Sequence, residues 1–229
     1  MLKVFIGFDS REPIAYHVLA HSILTRASRP VAIVPLVQDQ LRRWGPYTRE
    51  RGMLETTEFS LTRFLVPWLS NYQGLSIFLD CDMVCLTDLT KAADLLGDHA
   101  VAVCQHDYTP TSTRKFLDQS QSTYPRKNWS SFMVFNNARC QALTPAYVNT
   151  VTGLMLHRFW WMPDDTQIGS LPLEWNYLVG EPGQSQAPPK LVHFTNGGPW
   201  FPETADGEYA DRWRAELQAM QTCREGVLA

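Results

Sequence analysis

Ile77-Phe78-Leu79-Asp80-Cys81-Asp82-Met83-Val84-Cys85-Leu86 is an apolar run broken only by two aspartates, one residue apart. Its apolar start, Leu75–Leu79, has the length and composition of a buried strand. In extended chain, residues i and i+2 point the same way. Asp80 and Asp82 are therefore expected to present two carboxylates to one point at a strand's carboxyl end. Burying such a pair unpaired is costly. A divalent cation removes that cost and supplies Lewis acidity. The plainer alternative is a strand-end turn in which the aspartates only cap the chain that follows.

Outward from this stretch, strands and helices alternate. Upstream, Lys3–Phe8 is a short apolar strand. A helix over Glu12–Arg26 follows, capped by Ser10, with Pro13 in its first turn and a stripe of Ile14, Val18, Leu19 and Ile23. Val31–Val37 reads as a strand and Ser60–Leu69 as a helix. Downstream come strands at Ala100–Gln105, Ser131–Phe135 and Lys190–Phe194, and helices over Pro145–His157 and Tyr209–Gln221. Interleaving of this kind predicts a single α/β domain with a mainly parallel, Rossmann-like central sheet flanked by helices. Ligands bind beyond the carboxyl ends of such strands. A division near residue 105 separates two halves, residues 1–105 and 106–229. The polar stretches Thr109–Lys127 and Glu181–Lys190 read as long loops.

The chain has 229 residues and is 45% hydrophobic, enough for one sizeable core. Twenty basic against 23 acidic residues leave a net charge of −3, which argues against a partner held by a basic stripe, such as nucleic acid. No apolar run approaches the roughly 18 residues of a membrane span. The five cysteines include no C-x-x-C pair, and the opening MLKVFIGFDS is too short for a secretory signal. A reduced, cytoplasmic setting is expected, with no stable membrane anchor.

A third ligand candidate lies at the end of KLVHF, where His193 precedes Thr195-Asn196-Gly197-Gly198-Pro199-Trp200. A histidine in an apolar strand is usually a core residue. At a strand end before a Gly-Gly loop, it joins Asp80 and Asp82 as a cation ligand, and the nitrogen donor favours Mn²⁺ over Mg²⁺. Other groups have plainer readings first. His17 and His21 lie on one helix face without a third ligand, His106-Asp107 ends a strand, and Cys81 and Cys85 are small buried hydrophobes. Trp160-Trp161 belongs to the core or stacks on a sugar. Asn128-Trp129-Ser130 is a glycosylation sequon, of consequence only in a secreted protein.

Together these residues resemble the glycosyltransferases of the glycogenin and lipopolysaccharide-galactosyltransferase type, family eight, which have the GT-A fold. The resemblance runs from about Val4 to Trp200, and it implies that residues 1–105 bind the nucleotide and residues 106–229 the donor sugar and acceptor, with the Thr109–Lys127 loop helping to choose the acceptor. FIGFDSREPIAYHVLAHSI resembles that family's first strand and helix, which puts nucleotide contacts near Phe8, Asp9 and Arg11. EFSLTRFLVPWL resembles its arginine-bearing helix, with Arg63 reaching the donor. The DCD motif is similar to its metal motif, giving Asp80, Cys81 and Asp82 donor contacts, and His193 corresponds to its third metal ligand. NWSSFMVFNN resembles the strand lining the donor sugar, which includes Ser131. Asp164-Asp165-Thr166-Gln167 followed by LPLEWN resembles its acidic segment near the anomeric carbon, so Asp165 and Asp164 become the catalytic candidates.

The resemblance implies a metal-dependent transferase that moves a sugar from a nucleoside diphosphate, UDP favoured, to a glycan, lipid-linked or small-molecule acceptor, with retention. Two departures stand out. HFTNGGPW is one residue shorter than the family's metal loop and lacks its lysine, leaving Gly197 and Gly198 amides to grip the diphosphate. Trp129-Ser130-Ser131 replaces the family's N-S-G. The rival readings are a haloacid-dehalogenase-like Mg²⁺-dependent phosphatase, suggested by FLDCDMV, and a non-catalytic nucleotide-sugar-binding module.

Overall fold

A computed structural model describes residues 1–52, 55–107 and 125–222. The loop expected over Thr109–Lys127 lies outside these residues except for its last three positions. Strand β1 (Leu2–Gly7) is buried along its second half and ends at Gly7, where a Cβ would stand 2.3 Å from the Phe59 ring. Helix α1 (Pro13–Arg26) starts one residue later than expected, with Glu12 at its N-cap position. Ser10 does not cap it; its hydroxyl and amide both bond the Glu58 carboxylate, at 2.6 and 2.9 Å. Strand β2 (Val31–Leu36) lies at the sheet edge, the one place where Pro35 and its missing N–H are tolerated. Helix α2 (Gln38–Trp44) follows and stops at Gly45, which takes a left-handed φ of 106°.

The helix expected over Ser60–Leu69 is a 3-10 turn, Thr62–Leu65, running into the short helix α3 (Val66–Leu69). Pro67 has no N–H to return to the Arg63 carbonyl, so the Val66 amide bonds there with the tighter 3-10 spacing. Strand β3 (Leu75–Leu79) then enters the sheet, and β4 (Met83–Cys85) leaves it for a second one. After helix α4 (Thr90–Ala93) come β5 (Val101–Cys104) and β6 (Phe132–Asn136). The single helix expected over Pro145–His157 is two, α5 (Pro145–Thr150) and α6 (Gly153–His157). The β-branched run Thr150-Val151-Thr152 breaks it, and Thr144 and Thr152 each cap a half. Strands β7 (Ile168–Leu171), β8 (Tyr177–Leu178) and β9 (Leu191–His193), then helix α7 (Ala210–Gln221), complete the described chain.

The main sheet has the order β2-β1-β3-β6-β5-β7, with β6 alone antiparallel to its neighbours. The predicted mainly parallel α/β sheet is present. The second sheet, β4-β9-β8, was not expected. One large core surrounds the main sheet; a smaller one joins Val18, Val84, Val192, Phe194 and Trp213 under the second. Helix α7 docks on α1 through buried Glu216, which meets Arg26 at 2.6 Å and His21 at 2.5 Å. His21 is thus a helix-docking residue rather than half of a metal pair. Among the described residues, no helix is long and apolar enough to cross a membrane.

Candidate metal and donor site

The junction between the two sheets creates the site. Register Leu79↔Phe132 extends one step beyond β3, where the Asp80 amide donates to the Ser131 carbonyl at 2.9 Å. Register Met83↔His193 extends one step before β4, where the Asp82 carbonyl accepts from the Phe194 amide at 2.8 Å. Asp80 is therefore anchored to one sheet and Asp82 to the other, with buried Cys81 between them. Their convergence was expected from the pleat of a single strand; it comes instead from the chain changing sheets. The β4–β9 pairing carries His193 to the same point. Donor atoms of Asp80, Asp82 and His193 all lie within 4.8 Å of one another.

Arg63 brings positive charge to the site. Arg63 is buried, its Nη1 2.7 Å from the Asp80 carboxylate and 2.9 Å from the Ser130 carbonyl. Its guanidinium lies over the rings of Phe78 and Phe59, at 4.9 and 5.3 Å. A surface charge is the usual fate of such a residue; here it holds the first aspartate. Asp82 has no such partner. Its Oδ1 accepts no hydrogen bond among the described residues and lies 3.3 Å from His193 Nε2. An orphaned, buried carboxylate oxygen facing an imidazole nitrogen and a second carboxylate is a donor set that fits a hard divalent cation.

Glu12 completes the wall and escaped the sequence reading, because a glutamate beside a proline at a helix start looks like a solvated cap. It is buried, accepts from Trp200 Nε1 at 3.1 Å and from the Cys81 thiol at 3.6 Å. Burial, then the charges of Asp82 and Asp9, push its carboxyl up to about 8. Cys81 is thereby a buried link, its thiol pushed up by burial and by the surrounding carboxylates. His106 is buried nearby and held down at about 4 by burial and by His193.

The remaining expected residues have definite places. Phe8 packs edge-on against Tyr16. Asp9 is fully buried and accepts from Arg11 Nε at 2.8 Å and from the Glu58 amide at 3.2 Å; burial opposes its charge, but these bonds outweigh it and hold the carboxyl below its ordinary value. Arg11 also donates to the Thr56 carbonyl at 2.7 Å. Ser131 is buried at the start of β6, beside Asp80. The Gly197 amide closes a turn onto the Phe194 carbonyl at 2.8 Å with φ of 117°, so it is already spent. Gly198 lies flat against the Trp200 indole, where a Cβ would come within 2.1 Å of ring carbons.

Asp164 caps the 3-10 turn Asp165–Gln167 by accepting from the Thr166 amide, and exposed Asp165 pairs with Arg126 at 2.5 Å. Among the described residues, neither has a hydrogen bond or ion pair to the cluster. Trp161 is buried in the core, and Trp160 is exposed.

A mostly parallel sheet with an acidic cluster past the end of β3 defines the class. The fold is the GT-A fold of family-eight-type glycosyltransferases. The chain superposes on the bifunctional glycosyltransferase WbbM with a TM-score of 0.61 at 18% identity, over 94% of this chain and 49% of that one. It superposes on the galactosyltransferase LgtC, solved with donor and acceptor sugar analogues, with a TM-score of 0.59 at 11% identity, over 97% and 98% of the two chains. GlyE of Streptococcus pneumoniae TIGR4 gives 0.59 at 14% identity, over 96% of this chain and 60% of that one. No family profile matches the sequence. Protein CDI of Arabidopsis thaliana is 48% identical over 223 residues, covering 94% of this chain and 86% of that protein, and this chain belongs to its family.

Proposed function

We propose that this protein is a divalent-metal-dependent glycosyltransferase that takes a sugar from a nucleoside diphosphate, UDP favoured, and passes it to a glycan, lipid-linked or small-molecule acceptor. The observation that carries the reading is the convergence of Asp80, Asp82 and His193 at the carboxyl end of a central strand of a GT-A fold. These three residues would hold the ion, Mn²⁺ rather than Mg²⁺ by virtue of the imidazole. When bound, such an ion neutralises charge that builds on the departing diphosphate.

The chain's own groups do the rest. Arg63 fixes the Asp80 carboxylate in one orientation, so the site needs little rearrangement to bind. The Phe8–Arg11 turn, made rigid by Asp9, borders the base, and Ser131 with the Gly197-Gly198 loop borders the sugar and phosphates. Because Asp164 is spent as a cap and Asp165 is held by Arg126, retention is best served by attack on the face the diphosphate leaves, with no carboxylate nucleophile. Asp165 then orients sugar hydroxyls.

The phosphatase reading loses ground, because its motif belongs after the first strand and here it follows the third. A binding-only module gains support from the missing loop lysine. Thermal shift against UDP, GDP and CDP, with and without Mn²⁺, is the first test; the expected result is stabilisation by UDP only with metal. Product formation from UDP-sugars then separates enzyme from module. No shift with any nucleotide, together with phosphate release from p-nitrophenyl phosphate, would overturn the proposal.

A further inference from the structure

The amide of Asn176 is fully buried in the 3-10 turn Leu173–Asn176, just before β8. Its Nδ2 donates to the Ser131 hydroxyl oxygen at 2.8 Å and faces the Asn128 carbonyl at 3.4 Å. The Ser131 hydroxyl gives its own hydrogen to that same carbonyl, at 2.7 Å, so its oxygen is left to accept. Both neighbours are thus acceptors, and the amide cannot be turned over. Asn176 Oδ1 therefore faces His193 Nδ1, 2.9 Å away. An amide oxygen only accepts, so the ring hydrogen belongs on Nδ1. Nε2 keeps its lone pair on the Asp82 side, where the 3.3 Å approach to Asp82 Oδ1 makes no hydrogen bond.

We infer that Asn176 is a positioning residue that fixes the tautomer of His193 and so makes Nε2 a cation ligand. The opposite tautomer would set two buried acceptors against each other at hydrogen-bond distance, a costly arrangement. The network is continuous: Ser131 accepts the Asp80 amide through its carbonyl and the Asn176 amide through its hydroxyl, so both ends of the cluster share one buried frame. Ser131, expected to line the sugar, is also a strut of this frame. The inference rests on the metal reading above. It explains why the ring is oriented as it is, in the manner of outer partners of metal-bound histidines.

The test uses the full chain, labelled with ¹⁵N-histidine and free of metal, at a pH where the His193 ring is neutral. Ring ¹⁵N shifts should place the hydrogen on Nδ1 in the wild type and in Asn176→Asp, which keeps an acceptor there. Asn176→Leu should lose that preference, and its Mn²⁺ affinity, read by electron paramagnetic resonance, should fall about 10- to 100-fold. Asn176→Ser serves as a second truncation should the leucine variant fail to fold. A wild-type ring with its hydrogen on Nε2, or a folded truncation with Mn²⁺ affinity within twofold of wild type, would overturn the inference. Wild-type protein that binds no Mn²⁺, with its ring hydrogen still on Nδ1, would overturn the metal reading alone.

Discussion

Replacing Arg63 by leucine probes the guanidinium that stands against Asp80. Its side chain is 6% exposed and that of Asp80 13%, so the ion pair is largely cut off from water. Removing one partner of such a pair leaves a buried charge uncompensated, which costs about 3–5 kcal/mol. For a chain of this size that corresponds to a fall in Tm of about 6–20 °C. The leucine still packs between Phe59 and Phe78, so the loss is mainly electrostatic. Two further measurements isolate the cause. Arg63→Leu/Asp80→Asn should recover part of the lost stability, because the buried charge of Asp80 is removed with that of Arg63. Mn²⁺ should raise the Tm of Arg63→Leu more than that of the wild type, since the ion then supplies the missing compensation. A single variant within 2 °C of wild type, or a double variant no more stable than the single, would refute the reasoning.

Asp82→Ala should abolish Mn²⁺-dependent nucleotide binding while circular dichroism remains native, since its Oδ1 has no hydrogen bond among the described residues to lose. Gly198→Lys, attractive from sequence as a way to restore the missing lysine, should instead destabilise the protein by about 1–3 kcal/mol, as overpacking does, because its Cβ meets Trp200; a Tm scan checks this. Acid should unfold the protein early. Burial, with Arg63 nearby, holds His157 down at about 3, so the unfolded chain binds a proton near the ordinary 6.5 that the folded one refuses. Stability from this group is complete above about pH 6.5 and is lost as pH falls towards 3, by up to about 1.4 kcal/mol per unit. His157→Gln should show a shallower acid limb in Tm against pH.

The sequence announces most of the main sheet, because β1, β3, β5 and β6 are apolar runs with clear ends. It also announces Asp80, Asp82 and His193, since carboxylates and imidazoles at strand ends have few other uses. What it hides is short or shared. Strands of two or three residues, such as β8 and β4, show no period, so the second sheet is invisible until its pairing is seen. β7, with Gly169 and Ser170 at its centre, lacks the composition of a strand. Glu12 resembles a helix cap until Trp200 and Cys81 are found bonded to it. Arg63 resembles a surface charge on a helix until Pro67 tightens the preceding turn and the side chain turns inward. Asn176 sits in the quoted LPLEWN motif, yet nothing local connects it to a histidine 17 positions later.

The three-residue ladder between β4 and β9 also governs when the site comes into being. Asp80 and Asp82 emerge early in synthesis, while His193 and its partner strand follow more than a hundred residues later, a separation that makes such pairings slow to form. Until β9 docks, Asp80 and Asp82 lack the imidazole that completes the ligand set. An ion that binds only the finished cluster lends its binding energy to that last pairing. Dependence of refolding yield on divalent cation would therefore concentrate in the final docking step.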